Sequence, residues 1–238
     1  MYRMSRFLTL GVLAVGLLGI APATGSAQVV QSLNLSAGLF MPRGEESRIK
    51  NDVWLADVPI FRFDIKDFTG GEVSGEWNFA FGDRLELGVG GAFYQRSVPT
   101  VYRDYVNRDR SEIQSTFKLR TIPATAVVRL LPFGRPGQFQ PYIGGGLAVI
   151  SWNYSEIGDF IDFNDNNNVY RARYVANGTA LGPVLLAGFR APLNGDIYAL
   201  TFEGRYQGGQ GSLATSDFLD SKLDLGGTSL RVGFLIRF

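Results

Sequence analysis

Apolar and polar side chains alternate residue by residue in eight segments of the chain. In residues 32–41, Leu33, Leu35 and Leu39 occupy odd positions, and serine, asparagine or glycine fills most even positions. A period of two places successive side chains on opposite faces of a β-strand. The pattern predicts eight strands with no long helix between them. Their expected ranges are 32–41, 72–81, 85–94, 117–131, 140–152, 179–191, 197–206 and 228–238.

The connections between these strands are alternately short and long. The short links, rich in Gly or Pro, are residues 82–84, 132–138 and 192–196. The long, polar links are residues 42–70, 97–112, 153–178 and 207–221. Antiparallel neighbours joined in this way place every short turn at one end of the sheet and every long loop at the other. This asymmetry is typical of barrels that span the outer membrane.

Alternation alone does not say which face of the sheet meets water, because a soluble lipocalin-like barrel alternates in the same way. Here the apolar set is bulky and aromatic, whereas the opposite set is mostly Gly, Ala, Ser, Thr and Asn. Small residues suit the narrow interior of an eight-stranded barrel, and large residues suit lipid. We therefore predict an all-β fold, an eight-stranded antiparallel up-and-down transmembrane β-barrel. The soluble barrel is the alternative.

Aromatic residues lie on or near the ends of the predicted strands, where amphipathic rings prefer the headgroup boundary of a membrane. This set comprises Trp77, Phe79, Phe81, Phe93, Trp152, Tyr198, Phe202, Tyr206, Phe234 and Phe238. Their joint placement favours the membrane barrel over the soluble one.

Composition narrows the chemistry that the chain can perform. Its 238 residues include 30 Gly but no Cys and no His. The usual zinc, copper and haem ligand sets are therefore missing, and so is the imidazole base of a serine hydrolase. We expect no enzyme activity and no cofactor. The formal net charge of +1 argues against a nucleic-acid surface, which needs a basic surplus.

The first 27 residues have the layout of a secretory signal peptide. Arg3 and Arg6 precede an apolar run over residues 7–21, and small residues follow up to Ala27. The run is shorter than the ~20 residues that a spanning helix needs. We predict cleavage after Ala27, export across the inner membrane, and a barrel domain over residues 28–238 in the outer membrane.

Six ionisable residues fall on the predicted lumen face. They are Glu76, Glu86, Arg129, Glu203, Arg205 and Arg231. Charges inside a barrel must be paired, so we predict a structural network of Glu and Arg that fills the lumen. A gate or a proton relay is the alternative interpretation of the same residues.

Two of the predicted loops carry candidate binding chemistry. Residues 159–168 offer carboxylate and amide oxygens to a hard cation, but they lack the Gly and the distal Glu of an EF-hand. A solvated loop tip is the default there, with no metal. In the first loop, Arg43, Arg48, Lys50 and Lys66 alternate with acidic residues and accompany Trp54, Phe61 and Phe63. These residues either solubilise the loop or contact lipopolysaccharide phosphates or a partner.

The closing strand points to a known family. Phe234, Ile236 and Phe238 alternate on it, which resembles the C-terminal signal read by the barrel-assembly machinery of bacteria. With Pro141-Tyr142-Ile143-Gly144-Gly145-Gly146 and the pattern over residues 29–238, the chain resembles the small outer-membrane β-barrels of the OmpA and OmpX kind. The resemblance implies a Gram-negative cell envelope, with outer-membrane lipid, lipopolysaccharide and the assembly machinery as partners.

The expected function follows from this fold more than from any site. We expect a monomeric, non-enzymatic barrel with a structural or surface-interaction role through its long extracellular loops. A narrow channel for small or hydrophobic solutes is the alternative, since the fold alone does not choose between these roles.

Overall fold

Eight antiparallel strands close into a barrel in the computed structural model, which describes residues 29–163, 165–193 and 197–238. Successive wall strands are neighbours, and the last pairs with the first. The wall strands are β1 (Val30–Pro42), β2 (Gly70–Phe81), β3 (Leu85–Val106), β4 (Glu112–Leu130), β5 (Gln140–Asp162), β6 (Asn168–Pro192), β7 (Tyr198–Gln207) and β10 (Gly227–Arg237). The expected fold class is confirmed. The predicted signal peptide, residues 1–27, lies outside the described residues.

Short turns join the strands at one end of the barrel, which we call the lower end. The upper end carries the first connection, residues 43–69, and the last one, residues 208–226. The last connection contains a small hairpin of β8 (Gln210–Ser212) and β9 (Lys222–Asp224).

Four wall strands extend much further upward than the alternation predicts. β3 continues to Val106 and β5 continues to Asp162, each followed by a tight turn into the next strand. The long loops predicted at residues 97–112 and 153–178 are therefore wrong. In the acidic stretch 159–168, residues 159–162 end β5, residue 168 begins β6, and the described residues 163 and 165–167 belong to a turn.

The polarity of the barrel wall reverses along its height, which explains that error. On β4 the outward side chains are apolar from Leu130 to Ile122 and become charged at Arg120. The inward side chains change in the opposite sense, from Arg129 at the lower end to buried Phe117 at the upper end. The upper strands still alternate, but their outward face is polar and resembles a loop in sequence.

The apolar outward face forms a belt around the lower barrel. Leu35, Val73, Leu147, Leu185 and Leu230 are among the exposed residues of this belt, and they come from different strands. On β4 the belt runs from Ile122 to Leu130, a length comparable to the ~9–11 residues that a tilted strand needs to cross a bilayer.

Aromatic rings stack in pairs on the outward face of the lower barrel. Trp77 stacks on Phe238 with ring centroids 5.7 Å apart, and Tyr198 stacks on Phe234 at 5.5 Å. Trp152 does not belong to this outward set, because it points inward and is buried in the upper barrel. The prediction of a boundary position for Trp152 is wrong, since its strand turns this position toward the interior.

The first connection folds into the mouth of the barrel as a plug, which we define as residues 43–69. It holds one short helix, α1 (Val53–Asp57), and 3-10 turns at Glu45–Ser47 and Ile65–Phe68. Trp54 and Phe68 stack at 3.9 Å between ring centroids and are fully buried. In the described part of the chain, no helix is long and apolar enough to cross a membrane.

The aromatic residues of the plug are not available for surface contact. Trp54, Phe61 and Phe63 are buried against inward-facing side chains of the wall, so the interpretation of these three rings as surface contacts is wrong. Phe61 packs on Tyr102 of β3 at 4.5 Å and on Phe117 of β4 at 5.0 Å between ring centroids. The hydrophobic effect favours their burial because the upper interior offers an apolar surface of matching size.

Charged residues tie the plug to the last connection. Arg43 pairs with Asp224 at 3.1 Å, and Asp52 accepts the backbone N–H of Asp224 at 2.9 Å. Arg48, which pairs with Asp52, donates to the backbone carbonyl of Asp224 at 3.0 Å and lies 4.2 Å from the ring of Trp54. Arg48 is thus a buried structural cation, whereas Lys50 and Lys66 stay exposed.

Candidate functional site

The structure places all six predicted lumen charges inside the lower barrel. Each of them is buried, and each forms an ion pair with a neighbour across the lumen or along the wall. Two further charges, Glu72 and Arg190, join the same cluster. We call these eight residues the ion layer: Glu72, Glu76, Glu86, Arg129, Arg190, Glu203, Arg205 and Arg231.

Arg129 stands at the centre of the ion layer. Its Nη2 lies 2.5 Å from Glu76 Oε1 and 2.9 Å from Glu203 Oε2. Its Nη1 donates to Asn78 Oδ1 at 2.9 Å. One guanidinium from β4 therefore joins β2 and β7, which are not neighbours in the barrel wall. The planar donor fork of Arg suits this kind of carboxylate contact.

Arg205 and Arg231 complete the upper part of the layer. Arg205 lies 2.9 Å from Glu76 and 2.8 Å from Glu203, so the two carboxylates are shared with Arg129. Arg231 pairs with Glu72 at 2.6 Å. The cluster is thus a connected network and not a set of separate pairs.

Arg190 and Glu86 form a bidentate pair near the lower end, with one contact at 2.8 Å. The ring of Tyr142 lies between this pair and the centre of the layer, 5.2 Å from Arg190 and 5.3 Å from Arg129. Its hydroxyl donates to Glu203 at 3.2 Å. Tyr142 and Asn78 were missed in the sequence because nothing in the alternation marks a neutral residue as a partner of charges.

The ion layer is balanced and closely packed. Four Glu and four Arg give it no formal net charge. A Cβ on Gly88 would lie 2.5 Å from Arg129 Nη1, so only glycine leaves room for the guanidinium there. The void beside the layer measures about 10 Å³, which holds at most about one water molecule. The side chains of the layer therefore leave little free space at this level of the lumen.

Buried acidic groups of a different kind lie in the upper barrel. Asp57 of α1 and Glu156 of β5 are both buried, and neither Asp57 carboxylate oxygen has a hydrogen-bond partner. Burial raises the pKa of Asp57 well above its ordinary value, and the nearby charge of Glu156 adds to the rise. Glu156 and Asp57 escaped sequence analysis because both belonged to stretches that were interpreted as polar loops.

Burial also raises the pKa of Glu156 to about 7. The nearby Tyr154 hydroxyl offsets part of this rise, although neither it nor Glu156 Oε1 makes a hydrogen bond of normal geometry. A carboxyl with this pKa changes its charge near neutral pH. The upper barrel thus contains an acidic group that responds to small changes in pH.

The other predicted residues are placed as follows. Phe234 is exposed on the outer wall, Ile236 is partly exposed, and Phe238 lies beyond the end of β10; their role in assembly stays a prediction.

Asp159 and Asp162 lie in β5, and Asp165 lies in the turn. Among the described residues, no three acidic side chains converge as metal ligands. Asn164 lies outside the described residues.

Removing the central guanidinium tests the ion layer. In Arg129→Ala, Glu76 and Glu203 remain buried and lose one of their two shared partners, so that Arg205 alone faces both carboxylates. We expect the free energy of unfolding to fall by about 3–5 kcal/mol, measured by urea unfolding of the detergent-folded barrel. The matched control is Arg62→Ala, whose 3.9 Å pair with Glu112 is exposed and contributes about 0–1 kcal/mol. Equal stability losses in the two variants would contradict a structural network.

The raised acidic pKa values predict a pH dependence of stability. Glu156, with a pKa of about 7 in the folded state, keeps its proton at pH values where the unfolded chain has already released it, so stability falls as pH rises from 5 through 7. The raised pKa of Asp57 acts in the same direction. The loss is about 1.4 kcal/mol for each unit between the folded and unfolded pKa. Glu156→Gln should therefore melt higher than wild type at pH 8 and show a flatter pH profile.

The measurement is the temperature at which the folded gel band converts to the unfolded one, taken at steps from pH 5 to pH 8. Glu112→Gln is the control, because its carboxylate is exposed and should leave the profile unchanged. A wild-type profile that is flat across this range would show that the acidic groups do not influence folding.

Comparisons with known proteins identify the fold. No protein-family model matches the chain, and no curated protein does. Among solved structures, the outer membrane protein OprG from Pseudomonas aeruginosa is similar, with a TM-score of 0.52 and 12% sequence identity over 88% of this chain and 96% of that one. Neisserial surface protein A is similar with a TM-score of 0.46 and 13% identity over 88% and 97% of the chains. The chain is an eight-stranded antiparallel transmembrane β-barrel and shares this fold with OprG.

Proposed function

We propose that the protein is a monomeric, non-enzymatic outer-membrane barrel that does not conduct through its lumen. Its wall holds it in the membrane, and its folded upper end makes contacts at the cell surface. The apolar belt, the lower turns and the similarity to OprG support this orientation. The role is that of a scaffold for surface interaction.

The filled lumen carries the proposal. The ion layer closes the lower barrel with charged groups that are already paired with one another, and the void beside it is about 10 Å³. A solute moving along the axis would have to break ion pairs in a region shielded from water, which is costly. Above this layer, the plug occupies the mouth of the barrel with buried aromatic rings. These two barriers argue against the alternative of an axial channel.

The outer wall also supports a lipid partner. Lys118 and Arg120 point outward on β4 just above the apolar belt, and Arg173 points outward on β6. Cations at this height would lie at the level of the lipopolysaccharide headgroup, where phosphates accept charge-assisted hydrogen bonds. We therefore propose that lipopolysaccharide contacts these cations of the outer wall. The sequence had suggested residues of the first loop as the contact site instead.

Conductance of single barrels tests the closed lumen. The wild-type protein, inserted in a planar bilayer and checked by its heat-dependent gel shift, should show no reproducible conductance steps, because the ion layer and the plug close the axis. The recording should stay silent at neutral pH in 1 M salt. Reproducible steps of one size would overturn the proposal and favour the narrow channel.

Charge removal on the outer wall tests the lipid partner. We expect added lipopolysaccharide to raise the melting temperature of wild type, and the double variant Lys118→Gln, Arg120→Gln to lose most of this rise because its phosphate partners are gone. The control is Arg84→Gln, which removes an exposed cation at the lower end. An equal rise in all three proteins would show that these cations do not bind the headgroup.

A further inference from the structure

A cavity of about 260 Å³ opens at the upper end of the barrel, away from the ion layer. The plug lines one side, β3, β5 and β6 line others, and residues 215–219 of the last connection form the rim. Its volume is slightly below the range of ~300–1,000 Å³ for small-molecule sites. The space therefore suits a ligand of about one ring and a short chain.

Aromatic rings make up half of the cavity wall. Seven of its lining residues are Phe or Tyr, including Phe61, Tyr102, Phe160 and Phe218. Phe61 and Tyr102 lie 4.5 Å apart between ring centroids, and Phe160 lies 5.1 Å from Tyr174. Rings that surround one space offer their negative faces to a cation as well as apolar contact to a hydrocarbon body.

The charges of the cavity have a single sign. Glu156 and Asp217 belong to its lining, and among the described residues that line it there is no Lys or Arg. Asp57 adds a third acidic group close to Glu156. The combination of aromatic rings and uncompensated carboxyls favours a positively charged occupant.

Glu156 supplies a buried acceptor atom, Oε1, which makes no hydrogen bond of normal geometry although the Tyr154 hydroxyl is nearby. Only 4% of this residue is exposed. An unpaired buried acceptor is costly, and an N–H donor from a ligand would remove that cost. This acceptor distinguishes the cavity from a purely apolar one, because it favours the binding of a ligand that has a hydrogen-bond donor at one end.

We propose that this cavity binds a small organic cation, a primary ammonium attached to a ring-sized apolar body. The ammonium pairs with the carboxylate of Glu156, and the rings of Phe61, Phe160 and Phe218 enclose the apolar part. The proposal goes beyond the scaffold role and does not rest on a closed lumen, since the cavity lies above the ion layer. A conducting barrel would leave it standing.

The site carries its own pH dependence. The titratable groups that face Glu156 or share its cavity are Asp57 of α1, Tyr102 of β3, Tyr154 of its own strand, Tyr170 and Tyr174 of β6, and Asp217 of the last connection. Burial raises the pKa of Glu156 to about 7, so its carboxylate is mostly absent at pH 6 and mostly present at pH 8. A primary alkylamine stays protonated over that range. Binding should therefore tighten with rising pH.

Two matched probes test the proposal on the full detergent-folded barrel. Phenethylamine carries the ammonium, and 2-phenylethanol has the same shape without the charge. Isothermal titration calorimetry at pH 8 should give saturable binding of the amine, about tenfold tighter than the alcohol, and several-fold weaker amine binding at pH 6. No saturable amine binding at pH 8, or equal affinity for both probes, would overturn the proposal.

Variants test whether Glu156 and the aromatic rings are the residues that bind the probes. Glu156→Gln should lower the affinity for the amine about tenfold and leave that for the alcohol unchanged, whereas Phe160→Ala should weaken both. Glu112→Gln, an exposed carboxylate outside the cavity, is the control and should bind like wild type. A Glu156→Gln variant that keeps the preference for the amine would refute the assignment. If this variant fails to fold, the two probes and the pH series on wild type still decide.

Discussion

The structure depends on one constraint, which is that the environment of the wall changes along its height. The lower exterior faces hydrocarbon, so it must be apolar, and the small lumen behind it receives the charges. The upper exterior is polar, so the interior there becomes the hydrophobic core. The same strands can satisfy both conditions, because the polarity of the inward and outward side chains can reverse at any height of an alternating strand. On β4 this reversal lies between Ile122 and Arg120. The plug exists because the upper interior needs apolar filling.

The lower interior solves a different problem by electrostatic pairing. The interior of an eight-stranded barrel is too narrow for water to hydrate charged side chains freely. At the same time, apolar side chains there would face any water that is trapped inside. Arg129 connects Glu76 and Glu203, so opposite charges lie against one another in a region shielded from solvent. Such a layer adds specificity of register, because a slip of one residue would turn these charges toward lipid.

The sequence predicts the membrane-facing part of this molecule better than the part above it. The phase of alternation assigned Glu76 and Arg205 to the inward face, where the structure also has them, because a period of two leaves only two choices at each position. Arg190 has the same phase but lies in a Gly-rich strand with a weak pattern. The plug was out of reach, since Trp54 is buried by residues distant in sequence and no local period records such contacts. The upper strands were mistaken for loops because polar outward positions conceal their alternation.

The contacts of the plug also set an order of events during folding. Asp52 bonds to Asp224, 172 residues further along the chain, and buried Leu223 and Leu225 belong to the same core as Trp54. The plug is synthesised early but cannot pack until nearly the whole chain has arrived. Long-range closure of this kind is slow and leaves apolar surface uncovered in the meantime. During assembly, the aromatic side chains of the first connection must therefore be kept from water until the last connection has folded against them.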